Sequence, residues 1–276
     1  MKKLFTFLLL IFSLTIFSQQ IKLKEIKEIA RSIDQKGNIA SVITSIYEVV
    51  YKGNKIEKIV NYSAFIENLT PGQTGTSTIK NNFEIQFTYD ASSNLILREE
   101  QSIVNGKKYL KSKIEYVYNN LNQMVELNSY STGGTIPRKW TFSYLGNKLD
   151  EILWVSSPAG GIDRKDKLTW KNNNPTNFNS YESKGKLINS ITVVYDLKKV
   201  NKFNNDFPLY FIQNIRTEIN NIYQYLGQNE IIKIIEPSNI FNKNPLPYEI
   251  EYDNIGYPIR IKRGPKGGYE HFFIYQ

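Results

Sequence analysis

The sequence predicts an all-β fold: an antiparallel meander of about eight Tyr-turn hairpin repeats, curled or folded onto its own aromatic face. Three observations predict it. A frame recurs in which a Tyr or Trp precedes a short turn and a pair of apolar residues spaced by three. The segments before these aromatics alternate apolar and polar residues with the period of a strand. The segments between aromatic and apolar pair are rich in Gly, Asn and Asp, which tight hairpin turns require.

The frame is plainest where Tyr51-Lys-Gly-Asn-Lys-Ile-Glu-Lys-Ile59 meets Tyr144-Leu-Gly-Asn-Lys-Leu-Asp-Glu-Ile152. Trp170 leads in the same way to Pro175 and Phe178, and Tyr195 to Val200 and Phe203. A second set carries one more turn residue. Tyr118 leads to Met124 and Leu127, Tyr225 to Ile231 and Ile234, and Tyr252 to Pro258 and Ile261. Tyr89 leads to Leu95, but Arg98 stands where the second apolar residue belongs.

The arms before the aromatics read as strands, with Phe83-x-Ile85-x-Phe87-x-Tyr89 the clearest and Trp140-x-Phe142-x-Tyr144 close to it. Asn105-Gly106, Gly133-Gly134, Pro158–Gly161, Lys184-Gly185 and Gly264–Gly268 mark the opposite turns. Residues 22–33 are expected to be a strand that enters a far turn at 34–38. Tyr269-x-His271-x-Phe273-x-Tyr275 reads as the first arm of a ninth unit. The segment 208–224 breaks the frame and reads as either a short helix or an irregular arm; 237–247 is a second irregular loop. So many strands exceed what one open twisted sheet carries without curling or splitting, roughly ten.

Residues 1–18 have the layout of a secretory signal peptide: Lys2 and Lys3, an apolar run from Leu4 to Phe17, and small Ser18. The rest, 19–276, is expected to be a single β-hairpin repeat domain, exported to the periplasm or exterior. No cysteine follows the apolar run, so no lipid anchor is expected, and no later segment is apolar enough to span as a helix. The net charge is +9, or +7 without Lys2 and Lys3. In an exported chain this points to an anionic polymer or envelope surface as partner, not to nucleic acid.

The absence of cysteine excludes disulfides, thiol nucleophiles and thiolate metal sites, and a single histidine excludes multi-histidine metal centres. No phosphate loop, GxSxG or SxxK motif occurs, and no cofactor is expected. His271 occupies a slot filled elsewhere by Ile85, Ile114, Trp140, Ile191 and Tyr248, so it reads as a core-face residue. The neighbouring acids Glu99-Glu100 and Asp150-Glu151 alternate to opposite faces of a strand, while Asp163 and Asp166 read as surface acids. Trp140, Trp154 and Trp170 are candidate sugar-stacking platforms or core residues. Arg260, Lys262, Arg263 and Lys266 form a basic cluster, a candidate anionic-ligand patch or a charged strand edge. The reading is a non-catalytic structural or ligand-binding protein, with a polysaccharide as candidate ligand. A carboxylate-based polysaccharide-degrading enzyme and an outer-membrane β-barrel are the alternatives.

The Tyr-Asp pairs at 89-90, 195-196 and 252-253, above all Tyr252-Asp253-Asn-Ile-Gly256-Tyr-Pro-Ile, resemble the YD repeat of Rhs and teneurin-type proteins. The chain also resembles uncharacterised exported bacterial proteins built of β-hairpin repeats. The YD resemblance covers roughly 47–275 and implies a spiralling β-shell that serves as scaffold or adhesion surface, without repeat-borne catalytic residues.

Overall fold

The structure, a computed structural model, describes residues 22–33, 39–68, 75–79, 83–155, 161–201, 226–235, 248–255, 257–263 and 269–276. Seventeen strands make up nearly all of them. In chain order they are β1 Leu23–Ile33, β2 Ile39–Lys52, β3 Lys55–Asn68, β4 Gly75–Ile79, β5 Phe83–Tyr89 and β6 Leu95–Val104. There follow β7 Lys107–Tyr118, β8 Met124–Ser131, β9 Arg138–Leu145, β10 Lys148–Val155, β11 Arg164–Lys171 and β12 Asn174–Glu182. The last five are β13 Leu187–Val200, β14 Asn229–Ile235, β15 Tyr248–Tyr252, β16 Pro258–Arg263 and β17 Tyr269–Tyr275.

Each strand pairs antiparallel with its chain neighbour from β1 to β14 and from β15 to β17, with β4 and β5 sharing one position beside β3. β14 lies beside β15. β17 then pairs with β1, so the meander bends into a nearly closed barrel. The expected all-β meander is therefore the observed fold, and the strand reading of residues 22–33 holds as β1. The far turns at 34–38 and 264–268, and the segments 208–224 and 237–247, lie outside the described residues.

One irregularity repeats around the whole ring. Beside every aromatic the ladder skips one residue of the second arm. Tyr51 pairs with Ile56 but Val50 with Lys58; Tyr89 pairs with Leu95 but Thr88 with Leu97; Tyr118 pairs with Met124 but Val117 with Glu126. The hairpins of Tyr144, Trp170, Tyr195 and Tyr252 skip Asp150, Thr176, Ile232 and Ile259 in the same way. These are β-bulges, which bend the bulged strand and increase its twist. A bulge also resets the alternation of faces. Two apolar residues three apart, such as Ile56 and Ile59, thus both point inward, and both are buried. Repeated bulges curl the sheet round the face they fill.

One hairpin assignment is corrected. Tyr195 pairs with Ile231, and Val193 with Ile234. The second arm of the Tyr195 unit is therefore β14, not Val200 and Phe203. Val200 is exposed, and Phe203 and Tyr225 lie outside the described residues. Residues 201–228 form an insertion at this unit's turn, and the Tyr195 and Tyr225 copies merge into one.

The leading and trailing half-units complete each other. Tyr275 pairs with Leu23, the bulge skips Lys24, and Ile26 faces Phe273. Gln276 and Lys22 exchange both backbone hydrogen bonds, at 2.8 and 3.1 Å. Leu23 and Ile26 stand where Ile56 and Ile59 stand in another hairpin. The final hairpin is thus assembled from the two ends of the described chain.

The core lies inside this ring. Ile26, Tyr47, Ile59, Ile85, Phe142, Ile152 and Val193 are among a single cluster of buried apolar residues drawn from all around the barrel. Fully burying such a side chain is worth about 1.5–3 kcal/mol. The opposite, outer face is charged and paired. Glu84 meets Lys58 and Lys108, Glu126 meets Lys139, Glu151 meets Lys165, and Glu270 meets Arg31 and Arg260.

Removing Tyr269–Gln276 deletes β17 and exposes Leu23 and Ile26. The expected outcome is loss of the cooperative thermal transition; a truncated chain that still melts in one transition within a few degrees of the intact protein would contradict the closure.

Candidate functional site

The hairpin aromatics do more than mark turns. The Tyr89 hydroxyl donates to the carbonyl of Ile56 at 2.9 Å, Tyr118 to Leu95 at 3.0 Å and Tyr144 to Met124 at 2.8 Å. Trp170 Nε1 donates to Leu149 at 2.7 Å, Tyr195 to Pro175 at 3.0 Å and Tyr275 to Pro258 at 2.7 Å. In every case the acceptor is the first residue of the apolar pair in the preceding hairpin. A backbone carbonyl, not a side chain, is the partner each time. The bulge explains the opening, because it breaks the ladder at that point and leaves a carbonyl free to accept.

The residue just before each acceptor reaches over the next hairpin. Lys22 Nζ lies 5.2 Å from the Tyr51 ring centre, Lys55 5.1 Å from that of Tyr89 and Lys148 5.9 Å from that of Trp170. Tyr257 contacts Tyr275 at the equivalent place, with ring centres 5.2 Å apart. Lys22 also donates to the Gly53 carbonyl at 2.6 Å, and Gln123 to that of Gly146 at 2.7 Å. These neighbouring turns are tied together by side chains as well as by the sheet.

Where four successive hairpins carry this pattern, their turn ends enclose a cavity of about 560 Å3. That lies within the roughly 300–1,000 Å3 typical of small-molecule sites. Its floor is Tyr89, Tyr118, Tyr144 and Trp170, with Leu95, Met124 and Leu149 between them. Its rim is amide-rich: Asn94, Asn122, Gln123, Asn147, Asn173 and Gln228, with Lys148 the one charged residue among the described lining and Leu226 at one side.

The rim is ordered by its turns. In the Tyr89 turn, Asp90 accepts from the Asn94 backbone at 2.8 Å, and Asn94 Nδ2 reaches Asn122 in the next turn at 3.3 Å. Asn119 holds the Gln123 backbone in the same way, at 3.0 Å. Asn172 and Asn173 both have positive φ, 51° and 57°, the geometry of a type I′ turn that asparagine tolerates. Asn173 Nδ2 donates to Gln228 Oε1 at 3.2 Å, which fixes the end of the insertion at the rim.

Burial acts on the floor phenols. It pushes Tyr144 up to about 12 and drives Tyr118 higher still, with Asp90 and Tyr144 adding to the rise. These hydroxyls therefore stay protonated and remain donors across the neutral range. On the outer wall the glutamates move the other way. For Glu84, burial works against the charge, but hydrogen bonds from Lys108 and Gln86 and the charges of Lys108 and Lys58 outweigh it, and the carboxyl is lowered. Glu126 and Glu270 are lowered by the same balance, with Lys139 and Asn128, and Arg260 and Arg31, as their partners. Glu230 is raised: burial dominates, and Asp196 and Asp253 reinforce it against Lys199.

Of the candidate ligand-binding residues named from the sequence, Trp170 lines the cavity. Trp140 and Trp154 stack at 6.1 Å, with planes 6° apart, deeper along the inner wall. Trp154 Nε1 is buried without a hydrogen-bond partner. Arg260 sits on the outer wall, bonded to Glu251 and Glu270 and over the Phe272 ring, and Lys262 pairs with Glu249 at 3.6 Å. Arg263 ends β16, and Lys266 lies outside the described residues. His271 is half-buried on the inner wall opposite Ile261 and Glu28. Glu99 and Glu100 point to opposite faces, Asp150 is a bulge residue, and Asp166 bonds Arg164. None of these acids lines the cavity.

Arg98 does not break the repeat after all. It occupies the inward slot of its hairpin, is only 4% exposed, and lies 3.5 Å from Glu100, while its Nε is buried without a partner. The floor tyrosines and rim amides were missed as a site by sequence reasoning. Their signal was the Asn-rich turn beside each aromatic.

No family model and no curated protein matches the sequence. Among solved structures the chain is similar to a porin-like protein from Bacteroides uniformis, at 14% identity and a TM-score of 0.53. The match covers 92% of this chain and 98% of that one. Two structures of TcdB2-TccC3 align over 87% and 86% of this chain at 8% identity and a TM-score of 0.30, covering 14% and 15% of those longer chains. The likeness to the porin-like protein is one of fold: a nearly closed antiparallel β-barrel.

Two measurements test the packing. The unfolded chain ionises its phenols near pH 10, and the folded chain holds Tyr144 to about 12. The stability this contributes is present below pH 10 and drains away as pH rises towards 12. Absorbance at 295 nm should show a class of tyrosines that ionises only with unfolding; full titration of all tyrosines near pH 10 in the folded protein would refute the buried ladder. Replacing the pair together, Arg98→Leu with Glu100→Leu, should leave stability unchanged or raise it, because apolar side chains then fill an apolar slot. Glu100→Gln should lower it by about 1–3 kcal/mol, since Arg98 is left buried without its counter-charge.

Proposed function

We propose that the protein is an exported, non-catalytic binding protein of the cell envelope that stands in water and takes a neutral saccharide in its turn-end cavity. The observation that carries this reading is the lining. An aromatic floor offers flat apolar faces, and a rim of amides offers both donors and acceptors. Sugar rings present the same two chemistries, C–H faces and hydroxyls. The layout of residues 1–18 supports export. No carboxylate is among the described residues that line the cavity, whereas glycoside hydrolysis uses a pair.

A second reading, an outer-membrane barrel, is favoured by the likeness to the porin-like protein. The side chains favour water. A membrane barrel turns an apolar band about 25 Å tall outward. Here the apolar residues fill the inside, and Glu84, Glu126, Glu151, Glu270 and their cationic partners stud the outside. A cation on the lipid face at the midplane costs about 2–4 kcal/mol.

Neutral oligosaccharides titrated against the protein should quench or shift tryptophan fluorescence, and Trp170→Ala should weaken binding about tenfold, in line with loss of an aromatic contact. Failure of every neutral glycan in a broad screen would overturn the saccharide reading. Separately, the protein should be recovered from cells without detergent; retention in the membrane pellet until detergent is added would overturn the aqueous reading.

A further inference from the structure

The tips of the turns around the cavity differ in chemistry from the barrel wall. Leu145 is 78% exposed, Leu121 70%, Leu197 57% and Ile255 49%. Leu121 and Ile255 sit in hairpin turns, Leu145 ends β9, and Leu197 lies near the end of β13 where its ladder is irregular; all four are at the same end of the barrel, since each follows the aromatic of a first arm. Neighbouring turns touch at this end, through Asn94 and Asn122 and through Gln123 and Gly146.

Among the described residues, the charges at the tips are unbalanced. Lys22, Lys52, Lys55, Lys148, Lys171, Lys198 and Lys199 stand there against Asp90, Asp196, Asp253 and Glu230. The acids are turned back on the chain. Asp90 holds Asn94, Asp196 accepts from the Lys198 backbone, Asp253 accepts from those of Ile255 and Tyr257, and Glu230 is buried beside Lys199. Lys52, Lys171 and Lys198 are exposed and form no ion pair with a described residue. Protruding aliphatics interspersed with unpaired lysines are what a peripheral protein presents to an anionic bilayer: the apolar tips enter the interface while the ammonium groups meet the headgroups.

We infer that the turn end of the barrel docks on an anionic lipid surface, seated by Leu121, Leu145, Leu197 and Ile255 and held by Lys52, Lys171 and Lys198. This goes beyond the saccharide reading and does not rest on it. Docking would turn the cavity mouth towards the headgroups.

The test is co-sedimentation of the full chain with vesicles of phosphatidylcholine alone and of phosphatidylcholine mixed with phosphatidylglycerol. Binding to the mixed vesicles, weakened by salt, is expected. Replacing the four aliphatics together (L121S, L145S, L197S, I255S) should lower it about tenfold or more. K52Q, K171Q and K198Q together should remove most of the salt dependence. The wall pair K139Q and K165Q is the control and should leave binding unchanged. All these positions are substantially exposed, and an unchanged thermal transition checks that each variant is folded. Three results would overturn the inference: no sedimentation with either vesicle, equal losses from tip and wall variants, or a concentration-dependent dimer abolished by the tip substitutions. The last would assign the tips to a second copy of the chain. None of these results bears on Trp170 or on sugar binding.

Discussion

A bulge and a hydrogen bond, placed side by side in each hairpin, govern this barrel. The bulge interrupts the ladder just after the aromatic and sets one carbonyl free. The aromatic of the following hairpin then donates into that carbonyl. Each bond is worth only about 0.5–1.5 kcal/mol net, but losing the donor leaves a half-buried carbonyl unpaired. The bond also fixes where each ring lies. The rings therefore line one end of the barrel in sequence order, and the curl produced by the bulges keeps them on the concave side.

The two faces divide the physical work. Inside, packing dominates, and the polar groups there include Arg98 with Glu100, buried Asn61, and Tyr47, whose hydroxyl bonds Glu28 at 2.9 Å. Outside, the β-surface is laced with cross-strand pairs. Glu84 is only 5% exposed, although it belongs to the outer wall, because the side chains of Lys58 and Lys108 close over it. This arrangement makes the lowered glutamates a source of stability above pH 4.5 that acid removes. Glu230 has the opposite sign, since its raised carboxyl costs stability once it ionises.

Much of the fold was legible because its period is short and local. The offsets from Tyr51, Tyr89, Tyr118, Tyr144, Trp170 and Tyr252 each name a true hairpin. The Tyr195 unit was misread because Val200 and Phe203 happen to satisfy the same offsets, while the true partner, Ile231, comes after an insertion. Local spacing cannot distinguish a short turn from a long one that returns to the same register. The cavity was illegible for a related reason: it joins turns that are distant in sequence and meet only side by side in the barrel. The setting of Arg260 and Lys262 was illegible in the same way, because the acids that meet them, Glu251, Glu270 and Glu249, come from other strands.

The pairing of β1 with β17 has a consequence for how the chain becomes a barrel. The first strand can gain one neighbour early, from β2, but its other edge has no partner until the last strand exists. A protein made from its N-terminus onward therefore carries an unsatisfied β-edge until β17 has been made, and closure demands a contact between strands about 250 residues apart, which is slow. The same joint can be satisfied by another molecule's β17. Ring closure within one chain and strand exchange between two are the same chemistry, separated only by concentration and time.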